Sequence, residues 1–358
     1  MSVNRIYHTW LERIKQLRPS ERITRVRNMA WLIAGIVASS SVHLSKIANK
    51  MSGPAQLNSH IQRLSRFVDN KAVRVREWYQ PVARLILERI VAAGQEIRLV
   101  VDGTKIGFGH QLLMVAVCYR RRTLPLAWTW VKGSRGHSSS YRQLALLGYV
   151  QALIPTGATV LVVGDSEFGA NEVLKQLDRW QWGYVLRQPP QWLVQAKDQS
   201  AWQRLDSLLS QAEQRLWLSA ARLTQKYAYT VNLLAYWQPG QKEPWLLATN
   251  LASPQAALLA YRRRMWIEEM FGDLKLHGFD LEATHLHHFA RLSRLTLAVS
   301  LAYVWLVAFG SRVIKNGLRY LVDRTDRRDF SIFRIGFNML QRCLANTKLF
   351  NIYLVPYF

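Results

Sequence analysis

Residues 261–275 read YRRRMWIEEMFGDLK, a short stretch with four cations and three carboxylates among large apolar side chains. Placed on a helix at about 100° per residue, Tyr261, Arg264, Glu268 and Lys275 share one narrow stripe roughly 21 Å long. Trp266, Ile267, Met270, Phe271 and Leu274 gather in a separate apolar sector. Glu269 falls off the charged line, which singles out Glu268 as the special carboxylate. Arg263 points into the apolar sector and needs its stem to snorkel. Upstream, Ser253 supplies an N-cap and Pro254 a first-turn residue, so the expectation is one long helix containing the whole stretch.

A carboxylate between two cations on one line suits phosphodiester chemistry. Arginine and lysine hold phosphates while the glutamate holds a metal. Two more carboxylates are needed, and Asp102 and Asp165 offer them. Each is read as lying just past an apolar strand, in EIRLVVDGT and ATVLVVGDSEFG. If those strands are neighbours, both carboxylates reach one site. Three oxygen ligands with open positions suit Mg²⁺ or Mn²⁺, and two such ions about 3.5–4 Å apart would steady the attacking and leaving oxygens of an in-line displacement.

Around these residues the chain changes texture. Residues 1–94 read as helices. Within residues 44–67, two short helical halves flank Ser52-Gly53-Pro54, with Arg63 and Arg66 on the second. That pattern suits a helix-turn-helix that reads DNA, or a helical cap packed on the next domain. From residue 97, three strand-like runs are followed by helix, strand, helix and strand, which predicts an α/β fold with a mixed sheet flanked by helices. Residues 190–250 read as a β-rich insertion. The domain reading is therefore 1–94 helical and DNA-binding, 95–316 catalytic with the insertion inside it, and 317–358 a C-terminal helical segment.

Composition points to a polyanionic partner. Among 358 residues, 48 Lys+Arg face 23 Asp+Glu, a formal charge of +25. The excess is spread out: residues 1–100 carry 17 basic and 6 acidic side chains, and residues 311–358 carry nine and three. Such a field draws in nucleic acid. Cys118 and Cys343 form no CxxC pair and no disulfide framework, which suits a reducing compartment. The polar, basic N-terminus is not a signal peptide. Residues 28–45 and 295–309 are apolar, but the first holds serines and the second falls short of the ~20 residues of a span. Both are expected to be buried helices, with no membrane partner.

With these residues in view, the chain resembles the DDE transposases of the insertion-sequence-4 family, whose signature is Y-x2-R-x3-E-x6-K. Tyr261, Arg264, Glu268 and Lys275 match every spacing. VVDGT at 100–104 and VVGDSEFG at 162–169 resemble the blocks around the two aspartates. WLLATNL and FSIFRIGF look like further family features. The resemblance implies an RNase H-like catalytic core with a β-rich insertion between the second Asp and the Glu, and an N-terminal helical domain. It implies that Asp102, Asp165 and Glu268 are catalytic and bind two Mg²⁺ or Mn²⁺ ions, and that Tyr261, Arg264 and Lys275 contact the phosphates of transposon ends. Trp237 and Trp245 are candidates, by position, for stacking on an extruded base; each is equally a core aromatic. Partners would be double-stranded DNA, as transposon ends and target, and a second copy of the chain, in the bacterial cytoplasm at the nucleoid.

Two other readings stand beside this one: a nuclease on the same core without strand transfer, and a non-catalytic basic DNA-binding protein. Glu167 and Glu172 either support the ligands or begin a solvated helix. His277, His285, His287 and His288 lack cysteine partners and read as phosphate-facing or solvated rather than as a metal cluster. Arg120, Arg121 and Arg122 track DNA or form a charged hairpin turn. GDSEFG is not a nucleophile elbow, and GTKIGFG is not a P-loop.

Overall fold

The computed structural model describes residues 2–107, 109–133 and 138–358. The chain folds into two compact units, Met1–Gly94 with Ile106–His110 and Met270–Phe358, and Gln95–Lys105 with Gln111–Glu269.

The first unit begins with five helices: α1 (Ser2–Leu17), α2 (Ile23–Ser39), α3 (Leu44–Ala48), α4 (Leu57–Asp69) and α5 (Val75–Ala92). The two halves expected within residues 44–67 form as α3 and α4, and α3 is only 5 residues long.

The second unit holds the sheet. Its elements are β1 (Ile97–Ile106), β2 (His110–Tyr119), β3 (Arg122–Lys132), α6 (Ser140–Gln151), β4 (Val160–Gly164), α7 (Asn171–Arg179) and β5 (Gly183–Arg187). Then come β6 (Leu193–Gln195), β7 (Gln203–Arg204), β8 (Arg215–Leu223), β9 (Tyr229–Tyr236) and β10 (Trp245–Thr249). The sheet order is β3-β2-β1-β4-β5-β10-β9-β8-β6-β7. β1 runs parallel to β4, and β4 to β5. This half is the RNase H-like core. Every residue of β4 is buried, as expected of a central parallel strand covered on both faces. Helices α6 and α7 pack against β3 and β5 respectively. The β2–β3 turn is Arg120-Arg121, both with positive φ (43° and 65°), so this arginine run forms a tight hairpin connection.

The β-rich segment at 190–250 does not stand apart. β10 pairs antiparallel with β5, so one ten-stranded sheet runs through core and insertion. After it, Ser253 caps α8 (Pro254–Tyr261), its hydroxyl accepting from Ala256 N at 3.2 Å. The expected long helix is interrupted. A 3₁₀ turn occupies Arg262–Arg264 before α9 (Met265–Leu274) begins. A 3₁₀ turn has about three residues per turn, so the 100° wheel does not carry across it.

The first unit closes with α10 (Phe289–Lys315) and α11 (Ile332–Ala345). α10 is the central helix, packed by α2, α4, α5 and α11. Its 27 residues are long and apolar enough to cross a membrane, longer than the apolar run suggested, yet 83% of its most apolar window is buried inside the protein. α10 and α11 cross at two glycines. A Cβ on Gly310 would lie 2.0 Å from Ile332 O, and one on Gly336 would lie 1.9 Å from Leu306 O.

Candidate active site

Strand β1 carries Asp102 inside the strand rather than past its end, and β4 delivers Asp165 immediately after its last residue. Val101 pairs with Gly164 in the parallel ladder, so the two aspartates are the next residues along two neighbouring strands. Their carboxylates are held alike. Asp102 Oδ1 accepts from Gly103 N at 2.7 Å, and Asp165 Oδ1 accepts from Ser166 N at 2.7 Å. Each therefore commits one oxygen to its own backbone and presents the other.

Both presented oxygens meet Arg264. Its Nη2 lies 3.6 Å from Asp102 Oδ2 and 3.2 Å from Asp165 Oδ2, while its Nη1 lies 2.5 Å from Glu268 Oε1. Glu268 comes from the first turn of α9, one turn beyond Arg264. Glu269 instead pairs with Arg122 at 3.1 Å, so the two adjacent glutamates have different partners.

The electrostatics follow from crowding. Burial pushes the Asp102 carboxyl up to about 7, opposed by Arg264 and the Gly103 N–H and reinforced by the charges of Asp165 and Glu268. Burial also works against the charge on Arg264. The surrounding Asp102, Asp165, Tyr261 and Glu268 outweigh it and raise its pKa. The donor set is oxygen only and converges on a single cation, which fits Mg²⁺ or Mn²⁺. Among the described residues, however, no three His, Cys, Asp or Glu side chains stand close enough to chelate a metal as placed. The carboxylates surround a guanidinium, which is wider than an ion.

Tyr261 ends α8 and is 3% exposed, so it is packed rather than presented on an exposed front. Burial raises its phenol pKa. Its ring meets the edge of Trp245 at 5.0 Å, and Trp245 meets Tyr236 at 6.2 Å. Trp245 thus belongs to an aromatic row, while Trp237 donates from Nε1 to Gln241 O at 2.9 Å within the β9–β10 connection. Lys275 follows α9 and lies in the first unit, where its Nζ pairs with Glu282 at 3.0 Å. Arg263 donates to Leu259 O at 3.2 Å, so its polar head returns to the preceding helix. On α4, Arg63 is half-buried and donates to Asn28 Oδ1 at 2.6 Å, whereas Arg66 is exposed.

The histidines take other partners. His43 and His285 meet edge to face at 4.8 Å, and His110 Nε2 lies 3.0 Å from His287 O. None of them joins a metal-holding cluster among the described residues.

Glu167, expected either to support the ligands or to begin a solvated helix, forms a half-buried clamp beside the aspartates, and its partners Gln111, Ser138 and Gln143 were missed by sequence reasoning. Glu167 accepts from Ser138 N at 2.7 Å, Ser138 Oγ at 2.6 Å and Gln111 Nε2 at 3.1 Å. Gln143 Nε2 donates to Glu167 O at 2.9 Å. Gly103 makes room: a Cβ there would lie 2.2 Å from Gln111 Nε2. The signal available was a glutamine on each of two apolar elements, the strand HQLLMVAV and helix α6, since buried polar side chains seek partners.

Residues 94–305 match the family described as Transposase DDE domain. The cryo-EM structure of a piggyBac transposase synaptic complex with hairpin DNA is similar at 9% identity and a TM-score of 0.45, over 96% of this chain and 77% of that one. No curated protein matches the sequence.

Proposed function

Because the chain belongs to the family of transposase DDE domains, which transfer phosphoryl groups, we propose that it is a DNA transposase of the insertion-sequence-4 type. It cuts at the inverted-repeat ends of its element and joins the freed 3′-hydroxyl to target DNA, acting as a homodimer on paired ends. The observation that carries this reading is the convergence of Asp102, Asp165 and Glu268 on one cation beside a spaced Tyr-Arg-Glu-Lys signature.

When bound, divalent ions supply Lewis acidity that steadies the attacking and leaving oxygens. The chain's own residues set the geometry. The parallel register of β1 and β4 puts two carboxylates side by side, and backbone N–H groups turn one oxygen of each inward. Glu268 brings a third carboxylate from a separate element, and Arg264 offers a fork that suits a phosphate. Tyr261 is 3% exposed and burial raises its phenol pKa, so it packs or donates a hydrogen bond. Water and then a DNA hydroxyl are the nucleophiles of the proposed reaction.

Purified protein incubated with its element's end sequence and Mg²⁺ tests the proposal. The wild type should cleave and strand-transfer, and full cleavage by Asp102→Ala would sink the assignment. Cleavage without joining of pre-cut ends would instead identify a nuclease.

A further inference from the structure

We propose that Arg264 is the resident cation of the carboxylate trio, and that a divalent ion enters only by displacing it. The inference rests on the reading of Asp102, Asp165 and Glu268 as metal ligands.

The oxygens decide the matter. Oδ1 of each aspartate is committed to a backbone N–H, which leaves Oδ2 as the oxygen each can offer. Those two Oδ2 atoms, together with Glu268 Oε1, are the atoms that face the Arg264 guanidinium. An ion and the guanidinium would compete for the same lone pairs and the same negative charge.

The trio also needs a counter-charge when metal is absent. Three carboxylates drawn together repel one another, and Arg264 supplies the positive charge that lets them stay close. Its width explains why no three of the described acidic, histidine or cysteine side chains stand at chelating distance. Displacement would let the carboxylates draw in.

Arg264 is equipped to leave. Its Nε is buried without a hydrogen-bond partner, so the guanidinium is not locked by a complete set of bonds. It sits on the 3₁₀ turn between α8 and α9, a type of segment that often marks a hinge. A DNA phosphate gives a displaced guanidinium a bidentate partner. One residue thereby links the arrival of metal to the arrival of DNA.

The test is Mn²⁺ titration by calorimetry on the full-length chain in metal-stripped buffer without DNA. Arg264→Met should bind Mn²⁺ roughly tenfold tighter or more, the size of an ordinary coupling between ligands of one site. Its melting temperature in EDTA should fall below that of the wild type, and Mn²⁺ should restore it. Equal or weaker Mn²⁺ binding by the folded Arg264→Met variant overturns the proposal. If that variant does not fold, Arg264→Gln, which removes the charge but keeps a polar head, carries the test. Tighter Mn²⁺ binding supports displacement, and unchanged binding overturns it. Asp102→Asn separates the two levels: Mn²⁺ binding equal to wild type there removes the metal-site reading itself.

Discussion

Asp102 and Asp165 stand as neighbours one residue beyond the Val101–Gly164 pair, each with Oδ1 on its own backbone and Oδ2 toward Arg264. Two strands with a large sequence gap between them thus deliver mirrored carboxylates, and neither needs a flexible loop to do so. A site built on parallel strands keeps its spacing because register is set by the buried faces of both.

Adjacent glutamates should separate cleanly. Glu268→Gln removes one of the three carboxylates and should abolish metal-dependent cleavage of end-sequence DNA. Glu269→Gln breaks an ion pair with Arg122 whose glutamate is 58% exposed. Such a change should leave cleavage intact and alter stability by less than about 1 kcal/mol. Parallel cleavage and urea-denaturation measurements decide; equal loss of activity in both would remove the distinction.

Without metal, stability should depend on pH through Asp102. Its folded carboxyl titrates at about 7, above the ordinary carboxylate value, so the folded chain keeps a proton that the unfolded chain loses. That contribution is complete below the unfolded pKa and is lost as pH rises through about 7. In EDTA the melting temperature should therefore decline between about pH 4 and 7, and Asp102→Asn should flatten the decline. A variant with the same slope as wild type would rule out this source.

The clamp behind the aspartates should be expensive to break. Glu167→Ala leaves the buried Gln111 amide and Ser138 donors without their acceptor, at a cost of about 1–3 kcal/mol. Gly103→Ala drives a methyl into Gln111 and should cost a similar amount by overpacking, roughly 1–3 kcal/mol. Urea denaturation measures both. Near-additive losses in the double variant would argue against a shared network.

DNA affinity should fall steeply with salt. A surface with a formal charge of +25 binds by releasing phosphate counterions. Binding isotherms for a duplex between low and physiological salt report the slope, and a flat response contradicts a phosphate-dominated contact.

Much of the architecture was legible because apolar runs have one good solution. EIRLVVDGT, LLMVAVCYR and TLPLAWTWV could be little but strands, and VLVVG reads as a strand covered on both faces. The wheel drawn from Tyr261 does not carry across the 3₁₀ turn, yet adjacent residues of α9 still point about 100° apart, and the structure sets Glu268 and Glu269 against different partners. Asp102 was misplaced by a few residues because β1 continues through Gly103, Thr104 and Lys105, which carry no strand pattern. The interruption at Arg262–Arg264 left no mark either, since three arginines suit α and 3₁₀ turns alike. Pairing of β10 with β5 was invisible for a different reason. Strand composition reports burial, whereas the identity of a neighbour beyond the residues that separate Arg187 from Trp245 depends on the whole sheet. Glu167 was in view as a support or a helix start, but its partner Gln111 stayed hidden because a hydrogen bond between distant side chains leaves no periodicity.

The crossing of α10 with α2, α4, α5 and α11 has a consequence for how the chain must be made. Helices α2, α4 and α5 are synthesised early, yet the helix they pack against begins at Phe289. Until it emerges from the ribosome they have no centre to close upon. A product that stops after α9 would retain all three carboxylates and the entire sheet while leaving its leading helices with an unfilled interior. Premature termination in that interval should therefore yield a chain with its chemistry written but its first unit unable to assemble, a natural target for chaperones and proteases.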